Sequence, residues 1–271
     1  MDERLAANRA NWEDRVPVHL ASRFYDVEGW LASERLPLAR EVALLGDVSG
    51  KSLVQLQCHI GLETLQWARA GATVTGVDFS PAAIEAATTL GARAGLTPRA
   101  SFVCSDVYDA DIALAGGTFD IVYVTIGSLG WLPDVRRWAK VVANLLTPGG
   151  TFFIHDVHPF SACFDDAGER LAYGYFEETE HPLVNDGEAT YTDGATLTNT
   201  RNYEWNHSLA EIVQALLDQG LVLDALHEHD WTFFQQFPWL VDDAGLFRVP
   251  RDRPRLPLTF TLLAHAPRAH D

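Results

Sequence analysis

Between residues 52 and 156 the chain alternates short β-rich apolar runs with stretches of helical spacing, and few architectures accommodate that order. SLVQLQ, TVTGVD, ASFVCSD, FDIVYVT and TFFIHDV are the strand candidates. In LETLQWARA the residues Leu62, Leu65 and Ala68 share one helical face, and Gly71 is a C-terminal stop. Ser80-Pro81 begins another helix, with a serine cap and proline in the first turn. Asp134 caps VRRWAKVVANLL, whose Val135, Trp138, Val142 and Leu145 fall together, and LTPGG ends it. Val-, Ile- and Phe-rich strands separated by helices imply a parallel sheet covered on both faces, in an α/β fold.

Beyond Val157 the pattern changes. Residues 158–206 are rich in aromatic, acidic and glycine residues without helical period, and NDGEATYTDG suggests turns within an antiparallel excursion. Ser208 and Glu211 form a capping box before LAEIVQALLDQ, closed by Gly220. LVLDALHEH and LPLTFTLLAHA supply a sixth and seventh strand, and residues 1–50 read as helical. The expected organisation is a helical cap segment (1–50), a cofactor-binding core (51–157), an inserted lid (158–206) and a C-terminal part of the sheet with a substrate-side loop (207–271).

Charge and composition narrow the partners. The formal net charge is −17, which disfavours nucleic acid and anionic membrane surfaces. No run approaches the ~18 apolar residues of a membrane span. Three cysteines without a CxxC pair argue against a disulfide scaffold or a zinc site and suit a reducing cytoplasm. The N-terminus, MDERLAANRANWEDR, lacks the apolar core of a signal peptide. Monomer and homodimer both stay open.

In open parallel sheets, ligands sit beyond the carboxyl ends of the strands where strand order reverses. Gln57–Thr64, Asp78-Phe79-Ser80 and Ser105-Asp106-Val107 should converge there. Asp78, 17 residues after Gly61, can accept two hydrogen bonds from a ribose diol, which suits NAD and also S-adenosylmethionine. A dinucleotide needs GxGxxG so that backbone approaches pyrophosphate, but the comparable positions here are Gln57, His59 and Leu62. A cofactor without phosphate fits better. Asp106 can accept from an exocyclic adenine amine.

LVQLQCHIGLETLQWARAGATVTGVDFS, ASFVCSDVYD, FDIVYVTIGSLGWLPD and LLTPGGTFFIHD resemble, in order, the motifs of class I S-adenosylmethionine-dependent methyltransferases. The likeness is greatest to a small-molecule subgroup whose loop reads LQCHxGxxT. The resemblance implies a Rossmann-like, doubly wound, seven-stranded, mostly parallel sheet with an antiparallel last strand and an added cap. It implies S-adenosylmethionine as cofactor, contacted by the loop residues Gln57, His59, Gly61 and Thr64. By the same likeness Gly61 is the close-approach glycine, Asp78 with its neighbours Phe79 and Ser80 holds the ribose side, Phe79 and Val107 flank the adenine, Asp106 reads its amine, and Thr125 lies near the methionine. Most members carry an acidic residue at the position of Gln55 and glycines at those of Gln57 and His59, so this loop departs from the pattern.

Methyl transfer needs proximity and alignment, and an oxygen or nitrogen acceptor gains from a base. His158, in HDVHPF after the fifth strand, is the candidate base because imidazole titrates near neutrality; Asp156 and His155 are orienting partners or alternatives. Tyr25, Trp131 and Trp205 are candidate substrate contacts. The aromatic stretches YEWNH and WTFFQQFPW suggest a flat, small aromatic or heterocyclic acceptor if they form a lid, and nothing about substrate if they are cap core. The rival readings are an NAD-dependent oxidoreductase, a non-catalytic cofactor-binding protein, and a protein or nucleic-acid methyltransferase. TIGSLG stands where an Asn-Pro-Pro-Tyr-type motif would follow the fourth strand.

Overall fold

The computed structural model describes residues 2–176, 179–194 and 196–268. Three helices precede the sheet: α1 (Glu3–Ala21), α2 (Val27–Ala32) and α3 (Ala39–Leu45). The alternating core follows as β1 (Ser52–Leu56), α4 (Leu62–Arg69), β2 (Thr73–Asp78), α5 (Pro81–Arg93), β3 (Ala100–Cys104), α6 (Ala110–Ala113), β4 (Phe119–Val124), α7 (Val135–Leu145) and β5 (Leu146–Val157). An excursion carries the hairpin of β6 (Leu183–Asp186) and β7 (Arg201–Glu204). The chain returns through α8 (Leu209–Asp218), β8 (Val222–His229), β9 (Trp231–Thr232), β10 (Val241–Asp243) and β11 (Leu246–Arg248) to β12 (Thr259–His265).

The main sheet runs β3-β2-β1-β4-β5-β12-β8. The pairings from β3 to β5 are parallel, and β12 is antiparallel to both its neighbours. This is the doubly wound, seven-stranded sheet expected of the sequence. Strand order reverses between β1 and β4, so their carboxyl ends open a crevice there.

Alternation along each strand divides the core. Val54, Leu56, Val122, Val124, Phe152, Ile154 and Leu262 pack against Trp138, Val142 and Leu145 of α7 and Ile212 and Leu216 of α8. Leu53, Ile121, Tyr123, Phe153 and Leu263 face the other way, onto Trp67 of α4 and Leu45 of α3. Burial on both faces explains why β1 and β4 read as almost continuous apolar runs. The helix starts follow local chemistry. Asp134 accepts from the N–H groups of Arg136 and Arg137 at 3.0 and 2.9 Å, and Ser208 Oγ from that of Glu211 at 3.2 Å.

Two features depart from the sequence reading. Strand β5 begins at Leu146 rather than Thr151, with a register shift against β4 between Phe119 and Ile121. The stretch between the sixth and seventh strands, expected as a substrate-side loop, contains the three-stranded sheet β10-β11-β9. Its strands are two or three residues long, too short for a period to show.

Candidate functional site

The turns after β1, β2, β3 and β4 enclose, with α1 and the cap, a cavity of about 550 Å³. That is within the range of small-molecule sites. Gln55, Gln57, His59, Gly61, Glu63, Asp78, Phe79, Asp106, Val107 and Thr125 all line it. Four sequence stretches about 20 to 30 residues apart thus meet at one crevice.

The β1–α4 turn has glycine-like geometry without the glycines. Gln57, His59 and Gly61 have φ of 56°, 49° and 74°, all left-handed. A side chain there costs about 1 kcal/mol each, and contacts elsewhere offset it. Gln57 Nε2 donates to Ser128 O at 2.9 Å, tying the β1 turn to the β4 turn. His59 N–H donates to Asp78 Oδ2 at 2.8 Å, and its ring points into the cap. There His59 Nε2 and His19 Nδ1 lie 2.9 Å apart, and His19 Nε2 lies 2.9 Å from Thr190 Oγ1. Burial lowers both imidazole pKa values, that of His19 to about 3 with Arg15 adding to the effect. Two neutral rings share one proton between them, which a single hydrogen bond needs. Gly61 lines the cavity and has a further reason to be glycine: a Cβ there would stand 2.7 Å from Phe102 and 2.8 Å from Ala87.

A carboxylate absent from the strand reappears on the helix. Gln55 is buried at the centre of β1, and its Oε1 accepts from Thr64 Oγ1 at 2.6 Å. Its Nε2 donates to Thr125 Oγ1 at 3.1 Å and to Glu63 Oε2 at 3.2 Å, and Thr125 Oγ1 also donates to Glu63. Burial raises the Glu63 pKa, and these donors oppose the rise. Glu63 was not singled out in the sequence. The signal was an acid in the first turn of the helix, eight residues after the uncharged Gln55. Asp78, at the end of β2, accepts from His59 N–H with one oxygen and from Ser80 N–H with the other at 3.0 Å. Each oxygen keeps a lone pair for a further donor. Burial pushes its pKa up to about 6.

The lining carries four carboxylates, Glu63, Asp78, Asp106 and Glu204, against Arg15 and the exposed Arg35. Such a wall suits a cation with a diol and opposes a pyrophosphate. Residues 54–154 match the family model described as a methyltransferase domain. That segment is similar to a methyltransferase domain. Over 168 residues the chain is 29% identical to an uncharacterized methyltransferase of Synechocystis sp., covering 61% of this chain and 76% of that protein. It is 31% identical over 111 residues to a ubiquinone biosynthesis O-methyltransferase of Ralstonia nicotianae, covering 41% of this chain and only 45% of the relative. Among solved structures, a putative S-adenosylmethionine dependent methyltransferase from Listeria monocytogenes superposes with a TM-score of 0.57 at 18% identity, covering 84% of this chain and 96% of that one.

Within residues 54–154, two loop residues serve the framework rather than the cavity. Ser80 Oγ caps α5 by accepting from Ala83 N–H at 3.0 Å, and Thr64 is fully buried beneath Gln55. Neither lines the cavity. Asp106 accepts from Tyr108 N–H at 3.0 Å and still faces it.

The candidate base is a correction. His158 Nδ1 accepts from Phe160 N–H at 3.1 Å, so its proton sits on Nε2, which donates to Glu228 at 2.8 Å. The ring packs on Phe260, over β12, and does not line the cavity. A residue directly after a β5 that ends beside β12 is turned toward β12. Asp156 is also committed elsewhere: its oxygens accept from the N–H groups of Gly127, Ser128, Leu129 and Val157. It pins the β4 turn. His155 is buried on the opposite face, stacked 5.2 Å from Trp231 and bonded to Thr261.

Of the aromatic candidates, Tyr25 and Trp131 line the cavity. Trp205 lies in the wall of a second cavity of about 470 Å³ beneath the excursion, with its Nε1 donating to Thr179 O at 3.1 Å. Trp131, Gly127, Val157 and Glu204 belong to the walls of both cavities. WTFFQQFPW splits: Phe233 and Phe234 face the first cavity, whereas Phe237 packs in a small core with Leu240 and Leu258. Among the described residues no cluster of three or more His, Cys, Asp or Glu side chains could hold a metal, and no helix is long and apolar enough to cross a membrane.

Proposed function

We propose that the protein is an S-adenosylmethionine-dependent methyltransferase that methylates an oxygen or nitrogen atom of a small, flat acceptor. The observation that carries this reading is the acid-lined, phosphate-averse cavity at the ends of β1 to β4, with Asp78 and Glu63 at two separated points of its wall. In this reading Asp78 accepts from the ribose hydroxyls. Phe79 and Val107 flank the adenine and Asp106 accepts from its amine. Glu63, held by Gln55 and Thr125, takes the ammonium of the methionine end and restores the charge that Gln55 lacks. Gln57 and His59 contribute backbone. Residues 1–50 and 158–206 act as cap and lid over a core of 51–157, and residues 207–271 complete the sheet.

The cofactor supplies a sulfonium methyl that is reactive without further activation. The chain's part is alignment, exclusion of water and binding of the acceptor. Among the described residues His59 is the imidazole that lines the cavity, and it is paired with His19, whereas His158 is bound to Glu228. The acceptor therefore reacts as the lone pair it presents, its proton leaving after or during transfer to solvent. The aromatic wall of Trp12, Tyr25, Trp131, Tyr191, Phe233 and Phe234 supports a flat body.

Calorimetric titration tests the reading. S-adenosylhomocysteine should bind at micromolar concentration, and NADH should not bind. Binding of NADH alone would replace the reading with an oxidoreductase; binding of neither would remove the cofactor assignment.

A further inference from the structure

The same cavity has a second polar corner, and it is built from the cap. Arg15, on α1, is only 7% exposed and lies in the cavity wall. Its Nε donates to Asn11 Oδ1 at 2.8 Å. Its guanidinium carbon lies 4.9 Å from the Trp12 ring centroid and 5.3 Å from that of Trp131. Among the described residues the terminal nitrogens have no hydrogen-bond acceptor, and no carboxylate lies within 4.0 Å of the guanidinium. Glu204 shares the cavity and its charge favours that of Arg15, but the two form no ion pair and Glu204 Oε1 accepts from Asn185 Nδ2 at 3.0 Å.

A buried guanidinium with idle donors is costly unless a ligand supplies acceptors. A second donor stands nearby. The hydroxyls of Tyr25 and Tyr191 lie 2.5 Å apart in the wall of the same cavity. One hydroxyl proton bridges that pair; the other has no acceptor among the described residues. The corner thus offers a planar fork of N–H groups and one O–H, flanked by aromatic faces. That set matches a carboxylate attached to a flat body.

Resting on the methyltransferase reading, we propose that Arg15 and the Tyr25–Tyr191 pair anchor a carboxylate of the methyl acceptor. The cofactor also carries a carboxylate, but the corner draws on α1, the turn after it, the 187–200 loop and Trp131. Its polar donors come from none of the turns after β1, β2 and β3, where the cofactor is placed; of those turns, the His59 ring packs on it, 5.1 Å from Trp12 and 5.7 Å from Tyr25. The acceptor is therefore an aromatic or heteroaromatic acid, methylated at another oxygen or nitrogen, with the acid group as its handle.

Saturation-transfer NMR on the S-adenosylhomocysteine-loaded protein tests this with a panel of hydroxy- and amino-substituted benzoates and pyridinecarboxylates, each beside its primary amide. Acids should bind at least 10-fold more tightly than their amides. Arg15→Gln should abolish that preference, Arg15→Lys should keep part of it, and both should leave S-adenosylhomocysteine affinity unchanged. Thermal unfolding confirms that each variant is folded. Equal binding of acids and amides, or of no panel member, would overturn the proposal. So would a loss of S-adenosylhomocysteine affinity in Arg15→Gln with 5′-methylthioadenosine affinity spared, since that places the cofactor's own carboxylate on Arg15. Failure of the wild type to bind S-adenosylhomocysteine would instead sink the methyltransferase reading beneath it.

Discussion

Glu63 and Asp78 are carboxylates of one cavity with different duties, and their variants should separate. Glu63→Gln removes one charge-assisted hydrogen bond, worth roughly 1.5–3 kcal/mol. It should weaken S-adenosylhomocysteine about 10- to 150-fold and spare 5′-methylthioadenosine, which lacks the amino-acid end; equal loss for both would move Glu63 out of that role. Asp78→Ala should cost about 1–3 kcal/mol of affinity and also lower the melting temperature, because the same carboxylate holds the N–H groups of His59 and Ser80. The ionised form of Asp78 accepts hydrogen bonds, so affinity should fall as pH drops through about 6. His158→Ala should leave turnover within a few-fold of wild type, as the ring faces Glu228 and Phe260. A 100-fold loss would restore it as a base. Asp78 could be read from its place at the end of TVTGVD. Glu63 could not, because its meaning depends on Gln55 and Thr125, 8 and 62 residues away.

At the scale of elements, the strands and helices from β1 to α8 were legible because each states its burial locally, by period and by cap. The hairpin β6–β7 showed in the sequence only as an antiparallel excursion without strand limits, and the sheet β9–β11 did not show, since their strands are held by distant partners. Asn8 of α1, for example, bonds Tyr203 of β7 through both its amide groups. The direction of His158 was hidden for the same reason: it depends on β12 pairing beside β5, about 100 residues later. The β4 turn is the element where one side chain substitutes for regular pairing. Asp156→Ala leaves four N–H groups without their acceptor and should destabilise the protein by about 2–4 kcal/mol. Turnover should fall with it, because Gln57 is tied to that turn at Ser128 O. A denaturant melt that matches wild type would show that water replaces the carboxylate.

For the whole molecule, four buried groups pull the stability profile in opposite directions. His19 and His155 have pKa values lowered to about 3, so their stabilisation is complete above about pH 6.5 and is lost as pH falls below it. Glu41 is raised to about 8, chiefly by burial and then by the Glu63 carboxylate, and Asp78 to about 6. Their contribution is complete below about pH 4 and is lost as pH rises through those values. Each group contributes up to about 1.4 kcal/mol per pH unit, so the four nearly cancel between about pH 4.5 and 6, and above about pH 6.5 the loss belongs to Glu41. Glu41→Gln, which is neutral throughout, should flatten the alkaline limb; equilibrium unfolding from pH 4 to 9 checks it, and an unchanged slope would remove Glu41 from the profile.

The ring of His59 hangs from the floor of the cavity and is gripped by α1, which forms part of its roof. Floor and roof therefore cannot part without breaking the imidazole pair. For any ligand that leaves by parting floor from roof, exchange is then a kinetic property of the helix rather than of the ligand. Dissociation rates of chemically different occupants should converge on one value, that of α1 letting go, and His19→Ala should accelerate them all by the same factor.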